Sequence, residues 1–106
     1  MSNLRIMVED DVGTRVMVAF RQDCITLGRA DGNMLRLTER NVSRRHACFR
    51  KNTNGVFIED LGSANGIRLN GERIDGKAEL QLNDLIEIGQ YQLLLCEGDG
   101  NDTKVG

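Results

Sequence analysis

Short apolar runs, interrupted by Gly, Asn or Asp every eight to twelve residues, restrict the folds open to this chain. An amphipathic helix needs apolar residues three and four positions apart over about ten or more residues, and no segment shows that pattern with capping residues at its ends. A strand needs only about four to eight residues between turns. The sequence therefore predicts an all-β sandwich or barrel.

We predict eleven strands, which cover residues 4–8, 15–20, 24–28, 34–37, 46–51, 56–60, 67–69, 72–74, 77–80, 85–88 and 91–96. Two-residue turns support several of the junctions. Asn54-Gly55 and Asn70-Gly71 each separate two β-rich runs and fit type I′ hairpins, in which both central residues take a positive φ. Gly89-Gln90 similarly joins the last two predicted strands.

The length of 106 residues corresponds to one domain. We expect residues 1–97 to form it, and residues 98–106 to be a disordered tail or linker, because that end is rich in Gly, Asp and Asn and almost devoid of apolar residues. No apolar run approaches the roughly 18 residues that span a bilayer. The first residues lack the apolar core of a signal peptide. We therefore expect a cytoplasmic protein that does not contact membranes.

Three cysteines, Cys24, Cys48 and Cys96, are widely spaced, and the chain has one histidine. Disulfide frameworks and zinc sites are recognised by more closely spaced ligands. We therefore expect buried thiols that pack as small apolar side chains, with no bound metal and no cofactor.

The net charge is only −2, but it is distributed unevenly. Residues 29–51 contain seven basic residues and two acidic ones, whereas residues 75–102 contain seven acidic residues and one lysine. A basic stretch of loop-like sequence is a candidate anion site, although a solvated face is the simpler explanation. Nucleic acid is a poor candidate partner, because the overall charge is acidic and few aromatic residues are available to stack on bases.

Arg29 follows Gly28 at the end of a predicted strand. Ser43 lies in a polar loop before the predicted strand 46–51. An arginine fork can grip two phosphate oxygens, and a serine hydroxyl can donate to a third. His46 stands three residues after Ser43, but a hydrolase would also need an orienting acid and an oxyanion hole. We therefore interpret His46 as a residue that ties loops together, and we do not expect an enzyme.

A second loop, residues 61–66, follows the predicted strand that ends at Asp60. Asn65 in this loop carries both a donor and an acceptor, so its side chain can bond the main chain of a bound peptide. Asn65-Gly66 also has the composition of an ordinary turn, and the two interpretations are compatible.

Gly28-Arg29, Ser43-Arg44-Arg45-His46 and Ser63-Ala64-Asn65-Gly66, with Asn70-Gly71 behind them, together resemble the forkhead-associated (FHA) domain family. The similarity extends to the segment 82–89 and covers about residues 4–96. It implies an FHA-like β-sandwich of about eleven strands in two packed, mainly antiparallel sheets. The ligand loops of such a domain lie at one end of the sandwich and bind a phosphothreonine in a peptide or protein.

The resemblance also implies a role for each residue at the site. Arg29 and Ser43 would contact the phosphate, with Arg44 as a weaker candidate, and Asn65 would bond the peptide backbone beside the phosphothreonine. Four residues would form the specificity loop, namely Ser63, Ala64, Gly66 and Ile67. Four others would support the site without touching the ligand, namely Gly28, His46, Asn70 and Gly71.

One residue departs from the family pattern. Ala64 stands where many members have a Thr or Ser hydroxyl that contacts the phosphate, so either the affinity is lower or the backbone N–H takes over. Two functions follow: a phosphothreonine-binding module in signalling, which depends indirectly on a Ser/Thr kinase, or an FHA-type scaffold that binds its partner without phosphate. The sequence does not fix the oligomeric state.

Overall fold

Side chains along the strands alternate between the protein interior and solvent, and this period of two builds the fold. The computed structural model describes residues 3–98. It contains eleven strands: β1 Asn3–Glu9, β2 Arg15–Ala19, β3 Cys24–Gly28, β4 Leu35–Arg36, β5 Ala47–Asn52, β6 Gly55–Asp60, β7 Arg68–Leu69, β8 Glu72–Arg73, β9 Lys77–Leu80, β10 Leu85–Ile88 and β11 Tyr91–Gly98. Every predicted strand is present, with its ends shifted by at most two residues.

The strands form two sheets. The six-stranded sheet has the order β2-β1-β11-β10-β7-β8, and the five-stranded sheet has the order β4-β3-β5-β6-β9. All recorded pairings are antiparallel except that of β3 with β4, which is parallel. The predicted all-β sandwich is therefore confirmed, and the described residues contain no helix.

The core lies between the inward faces of the two sheets. In β1 the side chains of Ile6 and Val8 are buried, and their partners across the ladder, Leu95 and Leu93 of β11, are buried as well. The facing sheet contributes Ile25, Leu27, Ala47, Phe49, Val56, Ile58 and Leu80. Phe20 meets Phe49 edge to face, with ring centroids 6.3 Å apart. Burial of these aliphatic side chains is the main driving force for folding.

The loops between β4 and β5 and between β6 and β7 contribute three buried apolar side chains. Leu37 and Val42 belong to the segment between β4 and β5, and Ile67 belongs to the segment between β6 and β7; each is at most 5% exposed. A loop with an apolar anchor in the core cannot move freely, because moving it would expose that side chain to water. The loops at this end of the sandwich are therefore held in place.

Identical Asn-Gly pairs form different turns in this structure. Asn70 and Gly71 have φ values of 51° and 90°, so the predicted turn with two positive φ values is confirmed between β7 and β8. The prediction for Asn54-Gly55 was wrong. Asn52 pairs with Gly55, so Thr53 and Asn54 occupy the centre of that turn, and Gly55 alone of this group has a positive φ. Gly89, with φ of 60°, opens the two-residue turn between β10 and β11.

The prediction of unpaired thiols was also wrong for two of the cysteines. Cys24 and Cys48 are joined by a disulfide between β3 and β5, with their Cα atoms 6.5 Å apart. Antiparallel pairing sets Thr26 opposite Cys48, so the two cysteines are diagonal neighbours on one face of the sheet. A separation of 24 residues in sequence gives no hint of this neighbourhood. Cys96 lies outside this disulfide and is half-buried in β11.

The last strand ends at Gly98, two residues after its predicted end. Gly98, the first residue of the expected tail, thus pairs with Asn3 of β1. The rest of that predicted tail lies outside the described residues. No segment of residues 3–98 forms a helix with the length and hydropathy needed to span a lipid bilayer.

We predict that Asn70→Ala lowers the free energy of unfolding by about 2 kcal/mol. Asn70 Oδ1 accepts the N–H of Leu85, and Nδ2 donates to Asp84 Oδ1. Alanine removes both bonds and is strained at a positive φ. Urea unfolding of the purified chain measures the change.

The matched control is Asn54→Ala, because Asn54 is exposed and its φ is not positive. This substitution should change the free energy of unfolding by less than about 0.5 kcal/mol. Equal losses in the two variants would contradict the different turn conformations.

Candidate functional site

Three loops leave the sandwich at the same end because of the register of three strands. Leu27 near the end of β3 pairs with Ala47 at the start of β5, and Ala47 pairs in turn with Asp60 at the end of β6. The loop after β3, the loop before β5 and the loop after β6 therefore lie at the same end of the sheet. These loops carry Arg29, Ser43 and Asn65.

Arg29 is fixed by its neighbours on the β4–β5 loop. Its backbone N–H donates to the carbonyl of Ser43 at 2.9 Å, and its side-chain Nε donates to the carbonyl of Val42 at 3.0 Å. No partner is recorded for its two Nη groups within residues 3–98. The guanidinium is thus anchored through one nitrogen and keeps its terminal donors for a ligand.

Both the backbone N–H and the side-chain oxygen of Ser43 form hydrogen bonds. Its N–H donates to His46 Nδ1 at 3.0 Å, and its Oγ accepts the backbone N–H of Ala64 at 3.0 Å. A hydroxyl that accepts one bond still has its own proton to donate. Ser43 therefore joins two loops and retains one donor that can face an anion.

His46 is fully buried and links the β4–β5 loop to the β6–β7 loop. Its Nδ1 accepts the Ser43 N–H, so the proton must reside on Nε2, which donates to the carbonyl of Gly66 at 2.8 Å. Both ring nitrogens are used in these bonds. Neither is left to remove a proton from the Ser43 hydroxyl, so the pair lacks the arrangement of a hydrolase.

Asn65 is exposed, and its Nδ2 donates to the carbonyl of Asn41 at 2.9 Å. That bond orients the side-chain amide across the β4–β5 loop. The Oδ1 atom and the second amide hydrogen are then available, and this combination matches the donor and acceptor of a peptide unit.

Gly28 allows a close approach of two chain segments. A Cβ atom at this position would collide with the carbonyl of Arg44, and it would come within 2.9 Å of Asn33 Nδ2. The same Arg44 carbonyl accepts bonds from the Ala30 N–H and from Asn33 Nδ2. Arg44 thus helps to hold the loop through its backbone, while its side chain is exposed.

The β6–β7 loop is braced by a carboxylate. Asp60 Oδ1 accepts the N–H of Ser63 at 2.7 Å, Asp60 Oδ2 accepts its hydroxyl at 3.1 Å, and Ser63 Oγ accepts the N–H of Gly66 at 2.9 Å. Ser63 therefore shapes the loop from within. Ala64 is exposed, and its backbone N–H is committed to Ser43 Oγ.

Three further predicted site residues belong to the β6–β7 loop and the β7–β8 turn. Ile67 is fully buried, so its side chain cannot contact a ligand and affects the specificity loop only by anchoring it. Asn70 bonds Asp84 and Leu85 and so fixes the β7–β8 turn against β10. Gly71 completes that turn.

Sequence reasoning missed two residues, Asn33 and Asp60, which act as braces. Both are Asx residues beside a strand end or a glycine, a position where such side chains often bond to the backbone. Asn33 bonds backbone carbonyls, and Asp60 bonds the N–H and the hydroxyl of Ser63, so no motif marks either residue. Within residues 3–98, no group of three or more His, Cys, Asp or Glu side chains is placed to hold a metal ion.

Comparison with known proteins agrees with this geometry. The model of the FHA domain family matches residues 25–89, which contain all three ligand loops. The chain belongs to the FHA domain family.

Relatives of known name are regulators. The chain is 36% identical over 77 residues to the glycogen accumulation regulator GarA of Mycobacterium tuberculosis, covering 73% of this chain and 47% of GarA. It is 38% identical over 77 residues to the oxoglutarate dehydrogenase inhibitor of Corynebacterium efficiens, covering 73% of this chain and 54% of the inhibitor. The chain thus spans about half the length of the relatives it matches.

Solved FHA structures share the fold. The FHA domain of the CT664 protein from Chlamydia trachomatis superposes with a TM-score of 0.84 at 26% identity, covering 92% of this chain and all of that domain. Mycobacterium tuberculosis EmbR, solved in complex with a low-affinity phosphopeptide, superposes with a TM-score of 0.78 at 27% identity, covering 91% of this chain and 25% of EmbR.

We predict that Gly28→Ala destabilises the FHA domain by about 2 kcal/mol, because the new Cβ must displace the Arg44 carbonyl. Amide chemical shifts of Ser43, Arg44 and His46 should move with it. Thermal unfolding and a nitrogen–proton correlation spectrum measure the two effects.

Gly32→Ala, in the loop that follows β3, is the control, because a Cβ there meets nothing within 4 Å. It should leave both the stability and the spectrum of residues 43–46 unchanged. A neutral Gly28→Ala would show that the two segments are not in close contact.

Proposed function

We propose that this chain is a phosphothreonine-dependent peptide- and protein-binding module in signalling. The supporting observation is the convergence of anchored donors: the Nη groups of Arg29, the hydroxyl of Ser43 and the amide of Asn65 project from three loops that hydrogen-bond one another. Fixed donors at one end of a sandwich suit a doubly charged phosphate ester. Membership in the FHA family and the phosphopeptide bound to EmbR support the same function.

In this proposal Arg29 and Ser43 bind the phosphate, and the exposed guanidinium of Arg44 adds a weaker contact. Asn65 bonds the peptide main chain next to the phosphothreonine. Charge-assisted bonds of this kind contribute about 1.5–3 kcal/mol each. After the entropic cost of association is subtracted, we expect a Kd on the order of micromolar. This corresponds to a binding free energy of about −8 kcal/mol.

Ala64 weakens the site compared with family members that carry a hydroxyl there. Its side chain has no donor, and its backbone N–H is already bonded to Ser43 Oγ. A backbone contact from Ala64 to phosphate would have to replace that bond. The exposed loop formed by Ser63, Ala64 and Gly66 remains the candidate for selecting residues after the phosphothreonine.

The partner in this proposal is a protein phosphorylated by a Ser/Thr kinase, and the chain itself is not an enzyme. The regulator and inhibitor names of its relatives support a binding role. We place this function in the cytoplasm, where the kinase would have ATP. The second candidate is a scaffold that binds without phosphate, and the absence of a hydroxyl at Ala64 is the observation in its favour.

We predict that Arg29→Ala reduces phosphothreonine peptide binding by at least a hundredfold, because the phosphate loses its main counter-charge. Arg29→Lys should also bind poorly, since one amine cannot both bond the Val42 carbonyl and offer a fork of donors. Isothermal titration with a phosphopeptide selected from a phosphothreonine library measures these losses.

Arg21→Ala is the charge-matched control, because Arg21 is exposed in the turn before β3, at the opposite end of that strand. It should bind like the unmodified chain. Equal binding of phosphorylated and unphosphorylated peptide, with no effect of Arg29→Ala, would establish the scaffold function instead.

We also predict that a phosphothreonine peptide binds about fourfold more tightly than the matched phosphoserine peptide. The difference corresponds to one buried methyl group, about 0.8 kcal/mol, in the small pocket that the family resemblance implies. Fluorescence anisotropy with the two peptides tests this. Equal affinities would contradict a family-like methyl pocket.

A further inference from the structure

Two arginines face each other at the edge of the six-stranded sheet that lies beside the site. Arg68 of β7 pairs directly with Arg73 of β8, and directly opposed residues share one face of a sheet. Like charges in this position destabilise the pair unless an anion offsets them. Both side chains are exposed.

Within residues 3–98, neither arginine forms an ion pair with a carboxylate. Glu87 of β10 pairs with Arg68 across the ladder, but no ion pair between them is recorded in residues 3–98. The one bond recorded for the Arg68 side chain is a long one, 3.5 Å from Nη1 to the carbonyl of Gly71. Most guanidinium donors of this pair are therefore free for another partner.

A cavity extends from Arg68 to Asn65 at the proposed phosphopeptide site. Its volume is about 520 Å³, and it is bordered by Asn41 and Asn65 on one side and by Arg68 and Glu87 on the other. Asn65 is the residue to which we assign the peptide main chain. A peptide that follows Asn65 therefore has room to continue towards Arg68.

The Arg73 side chain lies close to Gly66, which borders the same cavity. The side chain lies over Gly66, where a Cβ atom would come to 2.5 Å from Arg73 Nε. Gly66 is itself fixed, because its carbonyl accepts the His46 Nε2–H and its N–H donates to Ser63 Oγ. The guanidinium thus rests on a braced surface next to the cavity.

We propose that Arg68 and Arg73 form a second anion-binding subsite, which recognises a carboxylate or a second phosphate on the same phosphothreonine peptide. This inference rests on the proposed function. The donors of a guanidinium group can bond two oxygens of a carboxylate or of a phosphate at the same time. The carboxylate of Glu87 offsets part of their charge, so the subsite favours an anion presented by a docked peptide over free anions in solution.

The test is a scan of peptide positions. A phosphothreonine peptide with alanine at the five positions on each side is compared with ten peptides that each carry one glutamate. We expect glutamate to raise the affinity about three- to fivefold at one position or two neighbouring ones, as for a partly exposed ion pair. Phosphoserine at that position should give a larger gain, which separates the two anions.

The variants Arg68→Gln, Arg73→Gln and their combination identify the residues responsible. The measured quantity is the ratio of affinities for the glutamate and alanine peptides. We expect it to fall towards one in the double variant and partly in each single variant, and to persist in Arg21→Gln at the far end of the sandwich. Circular dichroism checks folding, and the single variants suffice should the double variant unfold.

Several outcomes would overturn the subsite while leaving the proposed function intact. These are a gain spread evenly over all positions, a preference for lysine in place of glutamate, and a gain that survives in the folded variants. Failure of the proposed function would give a separate result. The phosphorylated alanine peptide would then bind no better than its unphosphorylated form.

Discussion

The ring of His46 accepts a hydrogen bond from one ligand loop and donates one to another, and it does so in a fully buried position. Leaving a buried polar group without its partner costs about 1–3 kcal/mol. The two bonds also fix the distance between Ser43 and Gly66. The position of Asn65, one residue before Gly66, is therefore set from the interior of the sandwich.

The core extends this constraint to the rest of the site. Val42 and Ile67 place one apolar side chain from each loop between the sheets, and the Val42 carbonyl receives Arg29 Nε. Burial of Val42 thus helps to determine where the Arg29 guanidinium points. Rigid loops lose little conformational entropy when a peptide binds, which favours affinity from a small number of contacts.

The strands could be predicted because each depends on local information: period-two alternation between turn residues. The two errors have different causes. The pair Asn70-Gly71 adopts the predicted turn and is supported by Asp84 and Leu85, whereas the turn predicted at Asn54-Gly55 is shifted by one residue, because Asn52 pairs with Gly55. The Cys24–Cys48 bond depends on the register of β3 against β5, which the sequence does not show. Family motifs pointed to the residues that we assign to the ligand, but not to Asn33 or Asp60, whose partners are mainly backbone atoms.

The three residues assigned to the ligand share one physical design. Arg29 uses Nε, Ser43 uses Oγ as an acceptor, and Asn65 uses one amide hydrogen to hold the loops, and each keeps further polar atoms for a ligand. A side chain anchored in this way has already lost most of its rotamer freedom before binding. The same anchoring means that substituting any of the three disturbs loop position as well as ligand contact. Conservative changes such as Arg29→Lys are therefore more informative than truncations, because they keep the charge and change the number and geometry of the donors.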